Sequence, residues 1–264
     1  MPNVESSNNS SLYINGLIPQ IGKDNIVFIT QGQCRDLNNF MDIVVGATNV
    51  QNFLMPNDIL INPNINGAGG LDTGVLEADT LYAVFVLADS SYNKPTSGIL
   101  SKETSQIPLL PAGYDTGRLV GYLRTGDDGN FLLNQIVVGS GSERKLIYND
   151  YVQVLTNGSS TSTTSISLEN SVASFGRSET NLAIIGLYYI PNNYVNSYVY
   201  IGPDSDSLYI PIVGQQSDTI CYGQCEVPCP PSVSEDGNQP RVFYSVSSSS
   251  DTLDIFVEGF YFTV

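Results

Sequence analysis

The chain is built from short apolar segments rather than from long amphipathic ones. Runs rich in β-branched and aromatic residues recur along the sequence and are separated by Gly, Pro, Asn and Asp. No extended stretch repeats apolar residues at the i, i+3, i+4 and i+7 spacing of a surface helix. This pattern predicts an all-β fold, an antiparallel β-sandwich or jelly-roll, built either as one unit or as two packed β subdomains.

Two of the runs have the character of central strands. The segment Leu81–Leu87 is apolar at every position, which is typical of a strand buried on both faces of its sheet. Leu182–Ile190 is similar, and Pro191 ends it. Further strands are predicted at Asn25–Thr30, Asp58–Ile61, Arg118–Arg124, Phe131–Val138, Lys145–Leu155, Thr163–Leu168, Tyr198–Ile201, Leu208–Val213 and Arg241–Val246.

A closing strand is predicted near the end of the sequence. Alternation of residue type predicts that Leu253, Ile255 and Val257 face the core. Asp254 and Glu258 would then face solvent. The run becomes wholly apolar after this point, which suits a strand inserted between two others.

Polar segments divide the chain into three parts. Residues 1–24 begin with a Ser- and Asn-rich stretch and are predicted to form a flexible N-terminal arm. Residues 25–140 are assigned to an N-terminal β subdomain and residues 141–264 to a C-terminal β-sandwich subdomain. The low-complexity run 156–165 is predicted to be an exposed loop or a joint between the two, and 225–240 a Pro-rich loop.

The net charge limits the partners. Ten Lys and Arg residues against 26 Asp and Glu residues give a formal net charge of −16, which repels nucleic-acid phosphates and anionic membrane surfaces. We therefore expect no nucleic-acid and no membrane partner. The start Met1–Glu5 has no basic or apolar signal region, and no apolar run approaches the ~20 residues of a membrane helix. We expect synthesis in a cytoplasm without a signal peptide.

Histidine is absent from the sequence, which excludes Ser-His-Asp and Cys-His catalysis and every His-based metal site. The four cysteines, Cys34, Cys221, Cys225 and Cys229, lack the paired spacing of structural zinc. They predict a local disulfide or free thiols in a Pro-rich loop. The Gly-rich segment Asn64–Gly70 lacks the Lys and the helix of a phosphate-binding loop. We therefore expect no catalytic residue, no metal and no cofactor.

Carboxylates are the one catalytic resource that remains. A glycoside hydrolase needs two of them about 5–9.5 Å apart. The candidates are Asp72, Glu77, Asp79, Asp127 and Asp128. Because the segment 127–130 is better explained as a turn between two strands, a carboxylate-based glycan-cleaving enzyme is the least favoured interpretation, and we expect that the protein is not an enzyme.

Tyrosine is abundant, with 16 residues, whereas tryptophan is absent. Tyrosine presents a flat face and loses little conformational entropy on binding, so it suits recognition surfaces. Strand tyrosines also pack across neighbouring strands, which is a structural alternative. The candidates for contact with a partner or a glycan are Tyr188, Tyr189, Tyr194, Tyr198 and Tyr200.

The segment Gly32–Asn39 reads G-Q-C-R-D-L-N-N and resembles the opening G-x-C-R-D-x-x-N of a domain common in bacteriophage virion and tail-fibre-type proteins. Arg35 and Asp36 within it are expected to pair and to fix this corner. Later landmarks of that domain follow in the same order, and the match is good over roughly residues 30–135. These landmarks are Gly69–Gly74, Leu81–Asp89, Leu100–Ser101, Pro108–Tyr114, Arg118–Gly121, Arg241–Tyr244 and Leu253–Phe260.

The resemblance implies a structural protein of the virion: a capsid decoration, minor capsid or fibre- or tail-attachment subunit. Such a protein acts by self-assembly and protein contact, so its partners are other copies of itself and neighbouring virion proteins. Closed symmetry is the usual form of such assemblies, and we expect a trimer. The alternative is a receptor- or glycan-binding module of a viral fibre that contacts a host-surface glycan. Contacts specific to this protein are expected within residues 139–240.

Overall fold

A computed structural model of the chain describes residues 13–46, 48–50, 53–54, 58–102, 108–173, 181–192, 197–213, 219–229 and 240–264. Within these ranges almost all regular structure is β-strand, and Lys23–Asn25 forms a single 3-10 turn. Most of the strands pair in antiparallel sheets, which confirms the predicted all-β, sandwich-type fold. No helix in the described part of the chain is long and apolar enough to cross a membrane.

The strands in chain order are β1 (Ile14–Gly16), β2 (Pro19–Ile21), β3 (Val27–Ile29), β4 (Gly32–Arg35), β5 (Asp42–Val45), β6 (Thr48–Val50), β7 (Phe53–Leu54), β8 (Ile59–Ile61), β9 (Gly70–Leu71), β10 (Leu81–Ala88), β11 (Ser97–Lys102), β12 (Thr116–Arg124), β13 (Gln135–Ser140), β14 (Glu143–Gly158), β15 (Thr164–Ser167), β16 (Asn181–Ile190), β17 (Tyr198–Gly202), β18 (Tyr209–Val213), β19 (Cys221–Cys229), β20 (Arg241–Val246) and β21 (Thr252–Thr263). All of the strands expected from the sequence are present at least in part.

The largest sheet has five antiparallel strands in the order β13-β14-β21-β16-β19. The last strand, β21, occupies the centre and pairs with both β14 and β16. Its residues Leu253, Ile255 and Val257 are fully buried, as their alternation predicted. This sheet therefore presents one face to the core and leaves an outer face that carries the alternate residues.

A second antiparallel sheet has the order β15-β20-β17-β18. Its buried side chains, among them Val199, Ile201 and Val242, belong to the same hydrophobic core cluster as those of the five-stranded sheet. Two sheets that bury their inner faces in one core define the sandwich of the C-terminal half. Their outer faces remain as the two broad sheet surfaces.

The N-terminal half centres on the sheet β12-β10-β11-β9, in which only the β9–β11 pairing is parallel. Every residue of β10 is buried, so Leu81–Leu87 is the doubly covered central strand that its composition predicted. Smaller sheets, β1-β4-β5, β2-β3-β8 and the pair β6-β7, complete this half. The side chains of Ile59 and Ile61 in β8 reach the backbone of Gly98 in β11, which shows how closely these layers pack.

Buried arginine contacts join the two halves. The Arg144 guanidinium donates hydrogen bonds to the main-chain oxygens of Leu17 (2.8 Å), Gly16 (2.6 Å) and Val120. Burial lowers the pKa of Arg144 to about 10. The Arg118 guanidinium donates to the main-chain oxygen of Val264, at 2.5 Å. The predicted boundary at 140/141 falls in the turn of the β13–β14 hairpin, so the two subdomains share a hairpin and a core.

The predicted loops and arm are shorter than the sequence suggested. Within the predicted arm 1–24, residues 13–24 contain β1, β2 and the fully buried Leu17, so this part belongs to the fold; residues 1–12 lie outside the described residues. Strand β14 extends to Gly158, which takes up the start of the run 156–165. Of the predicted loop 225–240, the first part is strand β19, and residues 230–239 lie outside the described residues.

The expected pairing of Arg35 with Asp36 is wrong. Arg35 instead forms an exposed ion pair with Asp42, 2.7 Å between Nη1 and Oδ1. Adjacent residues of a strand point to opposite faces, and Asp36 turns inward. Its carboxylate accepts hydrogen bonds from the amides of Phe40 (2.6 Å) and Met41 (2.9 Å), which fix the turn that follows β4.

Candidate functional site

A β-bulge in the central strand of the five-stranded sheet creates the most unusual side-chain environment of the C-terminal half. Ile184 pairs with Gly259 and Ile185 with Val257, so Glu258 is an extra residue in β21. Glu258 continues the outward alternation of Asp254 and Phe256, away from the core, and the alternation shifts after it. The side chain therefore faces outward, as the alternation predicted, but it is only 7% exposed.

Glu258 is buried because neighbouring residues of the outer face cover it. The Tyr222 hydroxyl donates a 2.6 Å hydrogen bond to Oε1, and the Gln224 side-chain amide donates to Oε2. The hydrogen bond to Glu258, together with burial, raises the pKa of Tyr222 above its ordinary range. Gly186 lies beneath the carboxylate, and a Cβ at this position would collide with Oε1. The absence of a side chain at 186 therefore makes room for Glu258.

Four aromatic side chains, one from each of four neighbouring strands, cross the outer face beside Glu258. Tyr188 makes an edge-to-face contact with Phe256 at a centroid distance of 5.0 Å and a tilted contact with Tyr222 at 5.2 Å. Tyr151 contacts Phe256 at 6.4 Å. We call Tyr151, Phe256, Tyr188 and Tyr222 the aromatic row. Its two ends are the most accessible members, with Tyr151 48% and Tyr222 52% exposed.

A cavity of about 190 Å³ lies on the outer face of the five-stranded sheet, beside the aromatic row. It is lined by Lys145, Ile147, Tyr148, Asn149, Tyr151, Ile184, Gln224 and Glu258. The Lys145 ammonium lies over the Tyr261 ring, 5.0 Å from its centroid, and the Tyr261 hydroxyl donates a 3.0 Å hydrogen bond to Glu226. The cavity thus offers a carboxylate, an ammonium and two amides between aromatic walls.

The structure separates the five tyrosines that the sequence grouped as candidates. Tyr188 lies in the aromatic row, whereas Tyr189 faces the core and donates a 2.6 Å hydrogen bond to Asp251. Tyr198 and Tyr200 form an edge-to-face pair at 5.3 Å in β17, which belongs to the other sheet. Tyr194 lies outside the described residues.

Sequence reasoning missed most of the residues that form the site. The residues of the site lie far apart in the chain, up to 113 positions, and strand pairing alone brings them together. They are Lys145, Tyr151, Gln224, Phe256 and Glu258. A partial signal was present in β19, where Tyr222, Gln224 and Glu226 alternate with core-facing residues. That period of two marks one face of a strand, but it does not identify which strands lie beside it.

The carboxylates weighed as catalytic candidates have local structural contacts. Asp128 accepts hydrogen bonds within the predicted 127–130 turn, which is closed by a 2.8 Å bond from the Gly126 amide to the Asn130 oxygen. The other partners are Ser101 for Asp72, Lys102 for Glu77 and Arg124 for Asp79. Among the residues that the structure describes, no group of three or more acidic or cysteine side chains is placed to hold a metal ion.

All four cysteines are free thiols. The Pro-rich surroundings of three cysteines predicted a loop, but the segment is strand β19. Its core-facing side carries Cys221, Cys225 and Cys229. Burial raises the pKa of Cys225 to about 11 and that of Cys229 to about 12. Cys34 lies in the N-terminal half, and burial raises its pKa to about 12. These thiols act as small apolar core residues.

Comparison with known proteins leaves the family open. No protein-family model matches the sequence, and no curated protein is detectably similar to it. Among solved structures, the chain is similar to a β-porphyranase of glycoside hydrolase family 86 from the human gut bacterium Bacteroides plebeius, with 12% sequence identity and a TM-score of 0.20. The alignment covers 93% of this chain and 37% of the enzyme, so the chain spans little more than a third of its length. A likeness this distant supports no inference about function.

Proposed function

We propose that the protein is a non-catalytic structural and recognition component of a virus particle. The support for a virion component is the ordered set of motifs that begins with Gly32–Asn39 and resembles phage virion and tail-fibre-type domains. The support for recognition is one structural observation: the outer face of the five-stranded sheet carries the aromatic row, and its end members Tyr151 and Tyr222 are about half exposed. Aromatic side chains with a polar tip are typical of interaction surfaces.

The N-terminal half carries the surface that we assign to assembly. Large apolar side chains protrude from its loops and strand edges, with Phe40 85% exposed. The others in this half are Leu60, Ile65, Val75, Tyr92, Leu109, Leu133, Ile136 and Val138. The C-terminal half also exposes large apolar residues, but most of those are tyrosines, whereas the exposed residues of the N-terminal half are mainly aliphatic. Exposed apolar side chains favour contact with another protein. We propose that this half, which also bears the motifs, binds other copies of the chain and neighbouring virion proteins.

The C-terminal half then carries the contacts specific to this protein. Its aromatic row and cavity are formed by β14, β16, β19 and β21, all of which lie within residues 141–264. A division of this kind lets one half hold the subunit in place while the other meets its partner. The proposal thus combines self-assembly with a separate recognition surface.

The proposal is tested first by the mass of the purified chain from light scattering at several concentrations. We expect a homo-oligomer, with three copies as the specific expectation. Replacing Phe40, Leu109 and Leu133 by serine should shift the mass toward that of the single chain, because these exposed side chains contribute to the contact and not to the core. Ile220→Ser, at an equally exposed position of the C-terminal half, is the matched control and should leave the mass unchanged. A single-chain mass at every concentration would contradict self-assembly.

A further inference from the structure

The cavity beside Glu258 has the mixed chemistry of a site for a hydroxyl-rich ligand. Glu258 supplies a hydrogen-bond acceptor, Lys145 supplies a donor, and the side-chain amides of Gln224 and Asn149 supply both. The Lys145 ammonium lies over the Tyr261 ring, and no ion pair between Lys145 and Glu258 is among those of the described residues. Both charged groups are thus placed to bond hydroxyls that enter between them.

The buried carboxylate is held in a fixed position before any ligand arrives. Two donors, Tyr222 and Gln224, bind its two oxygens, and Gly186 provides the space beneath it. A carboxylate oxygen accepts more than one hydrogen bond, so each oxygen keeps capacity for a ligand hydroxyl. Because the acceptor is already oriented, binding a hydroxyl costs little reorganisation.

The aromatic side chains of the site suit the apolar faces of a sugar ring. A pyranose presents hydroxyl groups at its edge and an apolar C–H surface on its faces, and aromatic rings bury such apolar surface. Tyr151 lines the cavity and is about half exposed, and Tyr222 stands at the opposite end of the row. Small-molecule pockets typically combine apolar and aromatic side chains with a few placed polar groups, and Ile147, Tyr151 and Ile184 supply the former here.

Size and charge narrow the class of ligand. The cavity of about 190 Å³ is smaller than the roughly 300–1,000 Å³ of pockets for drug-sized ligands, so it accommodates one sugar residue and leaves the rest of a chain outside. The net charge of −16 repels sialylated or sulfated glycans at long range. Cleavage of a glycosidic bond needs a pair of carboxyl groups, and Glu258 is the single carboxylate among the residues that line the cavity.

We propose that this cavity binds one neutral sugar residue of a glycan, with Glu258, Gln224 and Lys145 bonding its hydroxyl groups and Tyr151 packing on its ring. This inference rests on the proposed function, since it gives the recognition face of the C-terminal half its ligand class. It replaces the tyrosine group suggested by the sequence with a site built from four strands of one sheet.

The test is an array of neutral oligosaccharides that end in glucose, galactose, mannose or N-acetylglucosamine, with sialylated and sulfated glycans as anionic comparators. We expect binding to at least one neutral glycan. Tyr151→Ala and Glu258→Gln should each weaken that binding at least tenfold. Tyr200→Ala, which removes a half-buried tyrosine of the other sheet, should leave it unchanged. Thermal unfolding of each variant, measured alongside, identifies any loss that is due to misfolding.

The outcomes separate this inference from the function on which it rests. No binding to any neutral glycan by a folded oligomer overturns the sugar site and leaves the virion proposal standing. Binding to anionic glycans only, or full binding by Tyr151→Ala, also overturns it. If Tyr151→Ala instead lowers the oligomer mass in light scattering, the face is an interface between copies and the sugar site is wrong.

Discussion

The hydroxyl of Thr116 lies 2.7 Å from Oδ2 of Asp36, and both residues are buried. The two are 80 positions apart, so this hydrogen bond fastens the turn after β4 to the first residue of β12. The same carboxylate accepts the amides of Phe40 and Met41. The acidic residue of the motif at 32–39 is therefore a structural centre of the N-terminal half.

Replacing Asp36 by alanine should lower the free energy of unfolding by about 3 kcal/mol, because hydrogen bonds to a charged group contribute roughly 1.5–3 kcal/mol each and their donors stay buried. Chemical denaturation measures this change. The matched control is Arg35→Ala, which removes an exposed ion pair with Asp42 and should cost less than about 1 kcal/mol. Equal losses for the two variants would contradict the assignment.

The contribution of Asp36 should also depend on pH. Burial alone would raise the pKa of this carboxyl, but the hydrogen bonds from Met41, Thr116 and Phe40 lower it below its ordinary value. Its stabilisation is therefore complete above about pH 4, the ordinary pKa of aspartate, and is lost as pH falls through the lower folded-state pKa. The stability difference between the wild type and Asp36→Ala should narrow as the pH falls below about 4. A constant difference over this range would show that ionisation of Asp36 has no part in its effect.

Tyr189→Phe should destabilise the protein by about 2 kcal/mol, because it removes a hydrogen bond to the buried carboxylate of Asp251. Tyr188→Phe, at the next position but on the outer face, should change stability by less than about 0.5 kcal/mol. Thermal or chemical unfolding of the pair measures the contrast. Burial and the bond to Asp251 raise the pKa of Tyr189 to about 12, so its phenol should ionise well above the ordinary pKa of tyrosine, about 10, in a spectrophotometric titration. Similar stabilities for both variants would contradict their placement on opposite faces.

Gly259→Ala should destabilise the five-stranded sheet by more than about 2 kcal/mol, since a strained backbone conformation alone costs about 1–3 kcal/mol. Gly259 has a φ of +153°, and a Cβ there would collide with the main-chain oxygen of Leu146 in β14. Gly74→Ala is the control, because its φ of +80° imposes strain while the space around it is open. The difference between the unfolding free energies of the two variants measures the cost of the collision apart from the cost of backbone strain. A smaller loss at 259 than at 74 would contradict the bulge geometry.

Thiol reactivity should order the four cysteines. In the native protein at pH 8, iodoacetamide should modify Cys221 before Cys225, since both are partly buried but burial raises the pKa of Cys225 to about 11. Cys34 and Cys229, whose pKa values burial raises to about 12, should react after unfolding, because the thiolate is the reactive form. Mass spectrometry of tryptic or chymotryptic peptides locates the modification. Rapid labelling of Cys34 in the folded protein would contradict its burial.

The strands that could be predicted from the sequence are those whose apolar residues form a continuous or regularly alternating run. Leu81–Leu87 is apolar throughout, and one reading of such a run is a doubly covered strand, which β10 is. Leu253, Ile255 and Val257 occupy alternate positions between Asp254 and Glu258, with Phe256 among them, and face the core as expected. The short strands β1 and β2 were missed because three residues carry too little periodicity, and their pairing with β4 and β3 holds them in place.

The candidate site was largely beyond prediction because it depends on register. An alternating pattern assigns a residue to a face, but the bulge at Glu258 adds one residue and changes the alternation locally. Likewise, only the strand order of the sheet places Tyr151 and Tyr222 in the same aromatic row. The sequence could have predicted that Tyr188 and Tyr189 lie on opposite faces of the sheet, since adjacent residues of a strand point to opposite faces.

The central position of β21 has a consequence for how the protein reaches its native state. Both neighbours of β21, β14 and β16, precede it in the chain, and β14 lies about a hundred residues earlier. Until β21 arrives, each neighbour keeps one edge with unpaired amides and carbonyls, which is the form of strand that pairs with other chains. Contacts between distant segments also slow folding. Until β21 pairs with both neighbours, the open edges of β14 and β16 are therefore the places where the chain is most prone to aggregate.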